Sequence, residues 1–130
     1  MTKKEHIQYW LNSSEYDWEV SITLFDQSKY VYALFFVHLS IEKISKSIWV
    51  RDNDNNIPPR IHNLVRILSS TKLEVPNDYL AFLERLNDFQ MEGRYPDYSL
   101  NIYKICNKQF TLEIINTAKE IRKWLIEKLQ

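Results

Sequence analysis

The sequence predicts an all-α protein, an antiparallel up-and-down four-helix bundle with an additional short helix. The chain has a single glycine among 130 residues, whereas tight β-turns and hairpins favour glycine at positive φ. Apolar residues also recur at steps of three and four through most of the chain, which is the period of one helix face. Short polar breaks separate these stretches, so neighbouring helices are expected to run antiparallel. We expect one domain, residues 1–130, with one hydrophobic core.

The first two predicted helices are expected to pack closely together. Ser14 and Ser21 lie on the apolar face of the first helix, and their small side chains would let a neighbouring helix approach. The second helix, from about residue 29 to 51, is apolar around most of its circumference and should therefore be central in the bundle. Ser28, in the break between them, is expected to cap the start of the second helix.

The second half of the chain predicts three further helices. The Pro58–Pro59 pair is expected to prepare the entry to a short third helix. A fourth helix should open at Pro76 and end at Gly93, because glycine suits a left-handed cap and Pro96 prevents continuation. The last helix is marked by an apolar stripe of Phe110, Ile114, Ala118, Ile121 and Leu125.

Composition and charge limit the classes of protein to which this chain can belong. The 17 basic and 17 acidic residues balance, which argues against a broad electrostatic surface for nucleic acid but leaves a local basic patch open. The lone Cys106 excludes an intramolecular disulfide and fits a buried thiol in a reducing compartment. We find no signal peptide, membrane span, metal-binding motif or Gly-rich phosphate loop in the sequence. A cytoplasmic protein without membrane contact, metal or cofactor is predicted.

A polar strip interrupts the apolar second helix. It consists of His38, Glu42, Lys43 and Lys46. Glu42 and Lys46 are spaced for a favourable ion pair along the helix. The strip is either a solvated face with a hydrogen-bonded core histidine or part of a binding site.

Two other segments carry side chains suited to anions. Arg60 and His62 occur in "PPRIHNL", and His62 is expected at the start of the third helix, where an anion would be favoured. It is otherwise a surface or capping histidine. In "RYPDY", Arg94 could hold a phosphate or carboxylate and Tyr95 could stack on a base. Alternatively, Asp97 pairs with Arg94 and only fixes the turn.

These segments together resemble the HEPN family, the helical domains named from higher eukaryotes and prokaryotes nucleotide-binding. Residues 33–46 are similar to the family pattern A-x-F-x-x-H-x-x-I-E-K-x-x-K, "PPRIHNL" to its Pro-Pro and His-Asn-Leu element, and "RYPDY" to its late Arg-Tyr-Pro-Asp signature. The three occur in the family's order, and the resemblance runs nearly end to end.

The resemblance implies a bundle that commonly forms homodimers and acts in nucleotide or RNA transactions. Many prokaryotic members partner a minimal nucleotidyltransferase or belong to toxin–antitoxin pairs. Catalytic members are metal-independent ribonucleases with an arginine and a histidine separated by four to six residues. No arginine here precedes a histidine by that spacing, since Arg60 and His62 are too close.

The leading hypothesis is therefore a non-catalytic module that binds a nucleotide or RNA, a nucleotidyltransferase partner, or both. A ribonuclease toxin with a divergent site and a purely dimerising scaffold are the alternatives, and enzymatic activity is left open. The predicted ligand contacts, expected to line one recess, are Lys43, Lys46, His62, Arg94, Tyr95 and Asp97, supported by His38, Glu42 and Arg60.

Overall fold

The computed structural model describes residues 1–90 and 103–130, and these residues confirm the all-α bundle. No β-strand occurs within them. A 3₁₀ turn, Asn87–Phe89, follows the fourth α-helix. The α-helices are α1 (Lys3–Asp26), α2 (Tyr30–Asp52), α3 (Leu64–Ser69), α4 (Asn77–Leu86) and α5 (Lys108–Leu129).

Helix α2 lies at the centre of the bundle, as predicted. It packs against α1, α3 and α5. Leu34, Ile41, Ile44 and Ile48 are fully buried in its core-facing surface. A helix that is apolar on nearly every side takes this central position because each face must be covered to remove it from water.

The two serines of α1 confirm the expected close approach to α2, since both Ser14 and Ser21 are completely buried. The Ser14 hydroxyl donates to the Ser40 carbonyl at 2.6 Å, and the Ser40 hydroxyl donates back to the Ser14 carbonyl at 2.9 Å. Ser47 donates to the carbonyl of Ile7 farther along the same interface. Such bonds require the two backbones to lie close, which larger side chains would prevent.

Helix α5 is held against this interface by Arg122, a buried cation that the apolar pattern did not predict. Its Nε–H donates to the Ser40 hydroxyl at 3.1 Å, and Nη2 pairs with Glu15. The guanidinium also lies 5.4 Å from the centre of the Trp18 ring, a favourable cation–π contact. One arginine thus connects α5 to both α1 and α2.

The buried stripe of α5 is shifted at its start from the predicted one. Thr111 and Ile115 are buried there, while Phe110 and Ile114 are only half-buried. Farther along, the predicted Ala118, Ile121 and Leu125 are fully buried. At its start, α5 therefore buries Thr111 and Ile115 in place of the predicted Phe110 and Ile114.

The predicted boundaries of α3 and α4 were wrong. Helix α3 begins only at Leu64, after an Asn63 cap. Helix α4 ends at Leu86 rather than at Gly93, tightens into the 3₁₀ turn, and is extended at Gln90. The Asn87 side chain bonds the α3 start, a tertiary contact without a signal in the helical period. Gly93 and Pro96 lie outside the described residues.

The predicted capping role of Ser28 was also wrong. Lys29 is the N-cap residue of α2, and its side chain makes no capping hydrogen bond. Ser28 instead ends α1 with a left-handed φ of 63°. Its N–H donates to the Phe25 carbonyl at 2.9 Å and the Lys29 N–H to the Leu24 carbonyl at 2.8 Å. This is a Schellman ending, in which glycine is normally favoured.

Replacing Ser28 by glycine should stabilise the protein, because a residue with a Cβ is unfavourable at this φ. We expect the free energy of unfolding of the Ser28→Gly variant, measured in urea titrations, to rise by about 1 kcal/mol, the lower end of the cost of a left-handed residue with a Cβ. Gln27→Gly is the matched control, since Gln27 has φ −93° and gains nothing from glycine. Equal effects of the two substitutions would contradict this explanation.

Candidate functional site

The structure brings four of the predicted site residues together. His38, Glu42 and Lys46 are spaced four apart on one face of α2, and His62, just before α3, reaches this face. Asn87, directly after α4, joins them. We call these five residues the α2–α3 polar cluster. Three separate chain segments therefore meet at one set of side chains.

The carboxylate of Glu42 is the centre of the cluster. It is only 3% exposed. Its Oε2 accepts a hydrogen bond from Lys46 Nζ at 3.0 Å, and its Oε1 accepts one from His62 Nδ1, also at 3.0 Å. A buried charge is tolerated only when it is paired and hydrogen-bonded, and Glu42 meets this condition through one group on its own helix and one from another segment.

Lys46 is buried and has its partners inside the protein. It is 6% exposed, and besides pairing with Glu42 its Nζ lies 5.5 Å from the centre of the Trp10 ring. The ammonium therefore has an internal anion and an aromatic face as partners. This placement does not present Lys46 to a ligand in solution.

His38 is fully buried beside Glu42. Its Nε2 lies 3.2 Å from the side-chain oxygen of Asn87, and since that oxygen only accepts, Nε2 carries the proton. Its Nδ1 makes no hydrogen bond to a described residue and lies 3.9 Å from Glu42 Oε1. Burial lowers the pKa of His38 and outweighs the opposing effect of the Glu42 carboxylate. His38 is thus a neutral core histidine.

Asparagine side chains already occupy the start of α3. The Asn87 oxygen accepts the Leu64 N–H at 3.0 Å, and the Asn63 oxygen accepts the Arg66 N–H at 3.1 Å. Asn87 Nδ2 also donates to Asn63. Amide oxygens from the chain thus already satisfy two of the backbone N–H groups at the helix start where an anion is expected.

The other predicted residues do not join the cluster. Lys43 Nζ pairs with Asp17 Oδ2 of α1 at 2.7 Å, on a different side of α2. Arg60 is exposed on the loop before α3. Three further predicted contacts lie outside the described residues: Arg94, Tyr95 and Asp97.

The surface end of the cluster is His62. Its side chain is 43% exposed, against 4% for that of Glu42. Because a carboxylate can only accept, the bond to Glu42 places a proton on His62 Nδ1 and fixes the orientation of the ring. A buried carboxylate thus presents one imidazole at the surface in a defined orientation.

Sequence reasoning missed Trp10, Asn63 and Asn87. Trp10 continues the apolar face of α1 in the sequence, so nothing in the pattern marks it as a contact of Lys46. Asn63 follows His62 directly and precedes Leu64, which is the local signal of a helix cap. Asn87 carried no signal, because its partners come from α2 and α3.

A cleft of about 560 Å³ lies between α4 and α5. Its lining includes the aromatic residues Phe82, Phe89 and Phe110. Among the described residues, its charged lining consists of the acidic Asp78, Asp88, Glu113 and Glu120 and one cation, Arg85. This excess of negative charge disfavours a phosphate, so size alone does not make the cleft the nucleotide site.

Residues 1–90 and 103–130 offer neither a membrane span nor a metal centre. No helix among them has the length and apolar character needed to cross a bilayer. No three histidine, cysteine, aspartate or glutamate side chains in this part of the chain converge in an arrangement that could hold a metal ion.

The buried neutral state of His38 predicts a pH-dependent stability. Unfolded imidazole has its ordinary pKa of 6.5 and the folded one a lower pKa, so the unfolded state binds more protons in acid. The free energy of unfolding should therefore fall as the pH drops below about 6.5 and be insensitive to His38 above it. His38→Gln should remove up to about 1.4 kcal/mol per pH unit of this slope, from about pH 6.5 down to the lowered pKa of the folded state.

Urea unfolding at several pH values measures this slope. Glu42 and His62 face His38 and are present in both proteins, so the difference between wild type and variant isolates His38. His6→Gln, at a half-buried position on α1, is the matched control for loss of a histidine elsewhere in the chain. Identical slopes for wild type and His38→Gln would refute the assignment.

Comparison with known proteins identifies the family. The model of the HEPN domain matches residues 7–129. Among curated protein sequences, none matches significantly. The fold is similar to that in the crystal structure of TT1696 from Thermus thermophilus, with a TM-score of 0.79 and 17% sequence identity over 94% of this chain and 97% of that one. The family match spans nearly the whole chain, and the protein belongs to the HEPN domain family.

Proposed function

We propose that this HEPN protein is a non-catalytic binding module that holds a phosphate of a nucleotide or RNA at the His62 end of the α2–α3 polar cluster. The supporting observation is the bond between His62 and the buried Glu42. Because Nδ1 donates to Glu42, His62 can donate to a phosphate only through a protonated Nε2, that is, as the imidazolium. The bond to Glu42 fixes the orientation of this donor, and a fixed donor loses less conformational freedom on binding than a mobile one.

Charge compensation inside the cluster supports an anion at this place. Lys46 pairs with Glu42 beneath His62, so the carboxylate does not act as an uncompensated negative charge. Arg60, two residues before His62, adds an exposed guanidinium, which suits phosphate oxygens. Lys43 and Lys46 do not contact the ligand, because both are ion-paired within the protein.

The chain lacks the arginine and histidine spacing of catalytic HEPN members. Phosphodiester cleavage needs groups that move protons and stabilise charge at the phosphorus. In the cluster, His38 and Lys46 are buried and bonded to neighbouring side chains. These residues position His62 in our proposal and do not act on a substrate.

The family resemblance extends the proposal to protein partners. A homodimer and a minimal nucleotidyltransferase, in a toxin–antitoxin type of system, are the partners that the resemblance implies. A partner of this kind would present a nucleotide to the module, which fits a phosphate contact at His62.

The test compares ATP and a short fluorescent RNA as ligands of wild type, His62→Ala and Arg60→Ala. Each variant should weaken the binding of at least one ligand by about tenfold, because each removes a charge-assisted phosphate contact. Lys123→Ala is the matched control: it removes one exposed positive charge on α5 and should leave binding unchanged.

Three results would overturn the proposal. These are no binding of either ligand, equal weakening by Lys123→Ala and Arg60→Ala, and cleavage of the RNA by pure protein that is lost in His62→Ala. The last result would instead establish the ribonuclease alternative.

A further inference from the structure

The cleft between α4 and α5 is an elongated groove. Side chains from its two sides meet at both ends. At one end the Tyr79 hydroxyl donates to Glu120 Oε1 at 3.3 Å, and at the other the Phe89 and Phe110 rings lie with their centroids 6.2 Å apart. Ile121 follows Phe110 by eleven residues on α5 and also lines the cleft, so the lining extends along about 16 Å of helix. We call this cleft the α4–α5 groove.

Apolar side chains line the groove between its ends. Phe82 and Leu86 are buried in the core, whereas Phe110 and Ile114 are only half-buried. The described lining comes only from α4, the turn after it, and α5, so no other described helix covers these side chains. Covering half-buried apolar side chains removes them from water, which favours binding.

The charged residues of the groove make it acidic. Its described lining has one cation, Arg85, and four carboxylates: Asp78, Asp88, Glu113 and Glu120. None of the four carboxylates forms an ion pair with a cation among the described residues. The Arg85 guanidinium lies over the Phe82 ring, 5.9 Å from its centre. The negative charge of the groove is therefore not neutralised by these residues.

The phenol of Tyr79 responds to this charge. Burial raises its pKa most, and the carboxylates of Glu120 and Asp78 raise it further. The same negative potential that disfavours a phenolate favours a bound cation.

The four carboxylates lie in two pairs toward opposite ends of the groove. Asp78 and Glu120 are at the end with the tyrosine contact, and Asp88 and Glu113 are near the end with the phenylalanine contact. At 1.5 Å per residue, the two pairs are about 10–15 Å apart. A complementary ligand therefore carries positive charges toward both ends and an apolar face between them.

We propose that the α4–α5 groove binds a basic amphipathic helix of a protein partner. The apolar face of this helix packs against Phe110 and Ile114, and its lysines or arginines pair with the two acidic pairs. A groove of about three helical turns matches the usual spacing of anchors at i, i+3 or i+4, and i+7 in helix-in-groove complexes. The groove shares no residue with the phosphate contacts proposed at Arg60 and His62, so this inference goes beyond the proposed function and does not depend on it.

Synthetic peptides test the proposal. The probe is a fluorescent helical peptide of about four turns, with leucines along one face and a lysine toward each end of that face. Two versions place the lysines about seven or about ten residues apart, to match the spacings of Glu113 to Glu120 and of Asp78 to Asp88. At least one version should bind wild type with a Kd of about 100 μM or tighter by fluorescence anisotropy. The same peptide with glutamate in place of each lysine should bind at least about tenfold more weakly.

Removing one acidic pair should weaken this binding. We expect Asp88→Asn combined with Glu113→Gln to raise the Kd of the lysine peptide by at least about tenfold. Glu84→Gln is the matched control, because Glu84 is exposed on α4 and does not line the groove, and it should leave the Kd unchanged.

Blocking the groove should abolish binding. Thr117 lines the α5 side, and Thr117→Arg adds both bulk and positive charge there. Asn116→Arg adds the same side chain at an exposed neighbouring position outside the groove and should retain binding. Circular dichroism should show equal helix content for both variants.

Four results would overturn the proposal. These are equal binding of the lysine and glutamate peptides, wild-type affinity in Thr117→Arg, and no binding of either lysine peptide up to about 1 mM. The fourth is displacement of the peptide by equally tight binding of spermine, because a flexible polycation without an apolar face would then be sufficient for the groove.

Discussion

The buried carboxylate of Glu42 is the constraint on which the arrangement around α2 depends. It lies among apolar helices and is 3% exposed, where an unpaired charge would be strongly destabilising. Lys46 compensates it from the same helix, and His62 hydrogen-bonds it from the segment before α3. That second bond ties the loop to α2, and Asn87 extends the connection to the end of α4.

Pairing with Glu42 divides the polar residues around α2 into buried ones with a structural role and exposed ones that can meet a ligand. The His-Glu-Lys pattern of α2 resembles a binding motif in sequence, yet His38, Glu42 and Lys46 are buried and have partners within the protein. Glu42, His38 and Lys46 provide a rigid base, and His62 carries the effect of that base to the surface. The function that we propose follows from this division: the buried residues orient, and the residues of the loop before α3 meet the ligand.

The sequence was sufficient to predict the helical class, the central place of α2 and the close α1–α2 contact, because these follow from the period and size of side chains. It also selected four residues that the structure brings together. It did not predict the end of α4, which depends on contacts between distant segments. It also did not predict the left-handed conformation of Ser28, which depends on the backbone geometry at the end of α1. Lys43 looked equivalent to Lys46, but a shift of three residues along α2 turns it toward Asp17 of α1. The burial of Arg122 depends on Ser40 and Glu15, which lie far away in sequence.

A double-mutant cycle on Glu42 and Lys46 tests the central claim most directly. Our account predicts that Glu42→Gln alone lowers the free energy of unfolding by about 3–5 kcal/mol, since it leaves Lys46 buried without an anion. Adding Lys46→Met should recover part of this loss, so that the two effects are not additive. The more exposed Asp17–Lys43 pair, treated as Asp17→Asn and Lys43→Met, should show a smaller coupling. A coupling energy below about 0.5 kcal/mol between Glu42 and Lys46 would mean that the two effects are additive and would contradict the account.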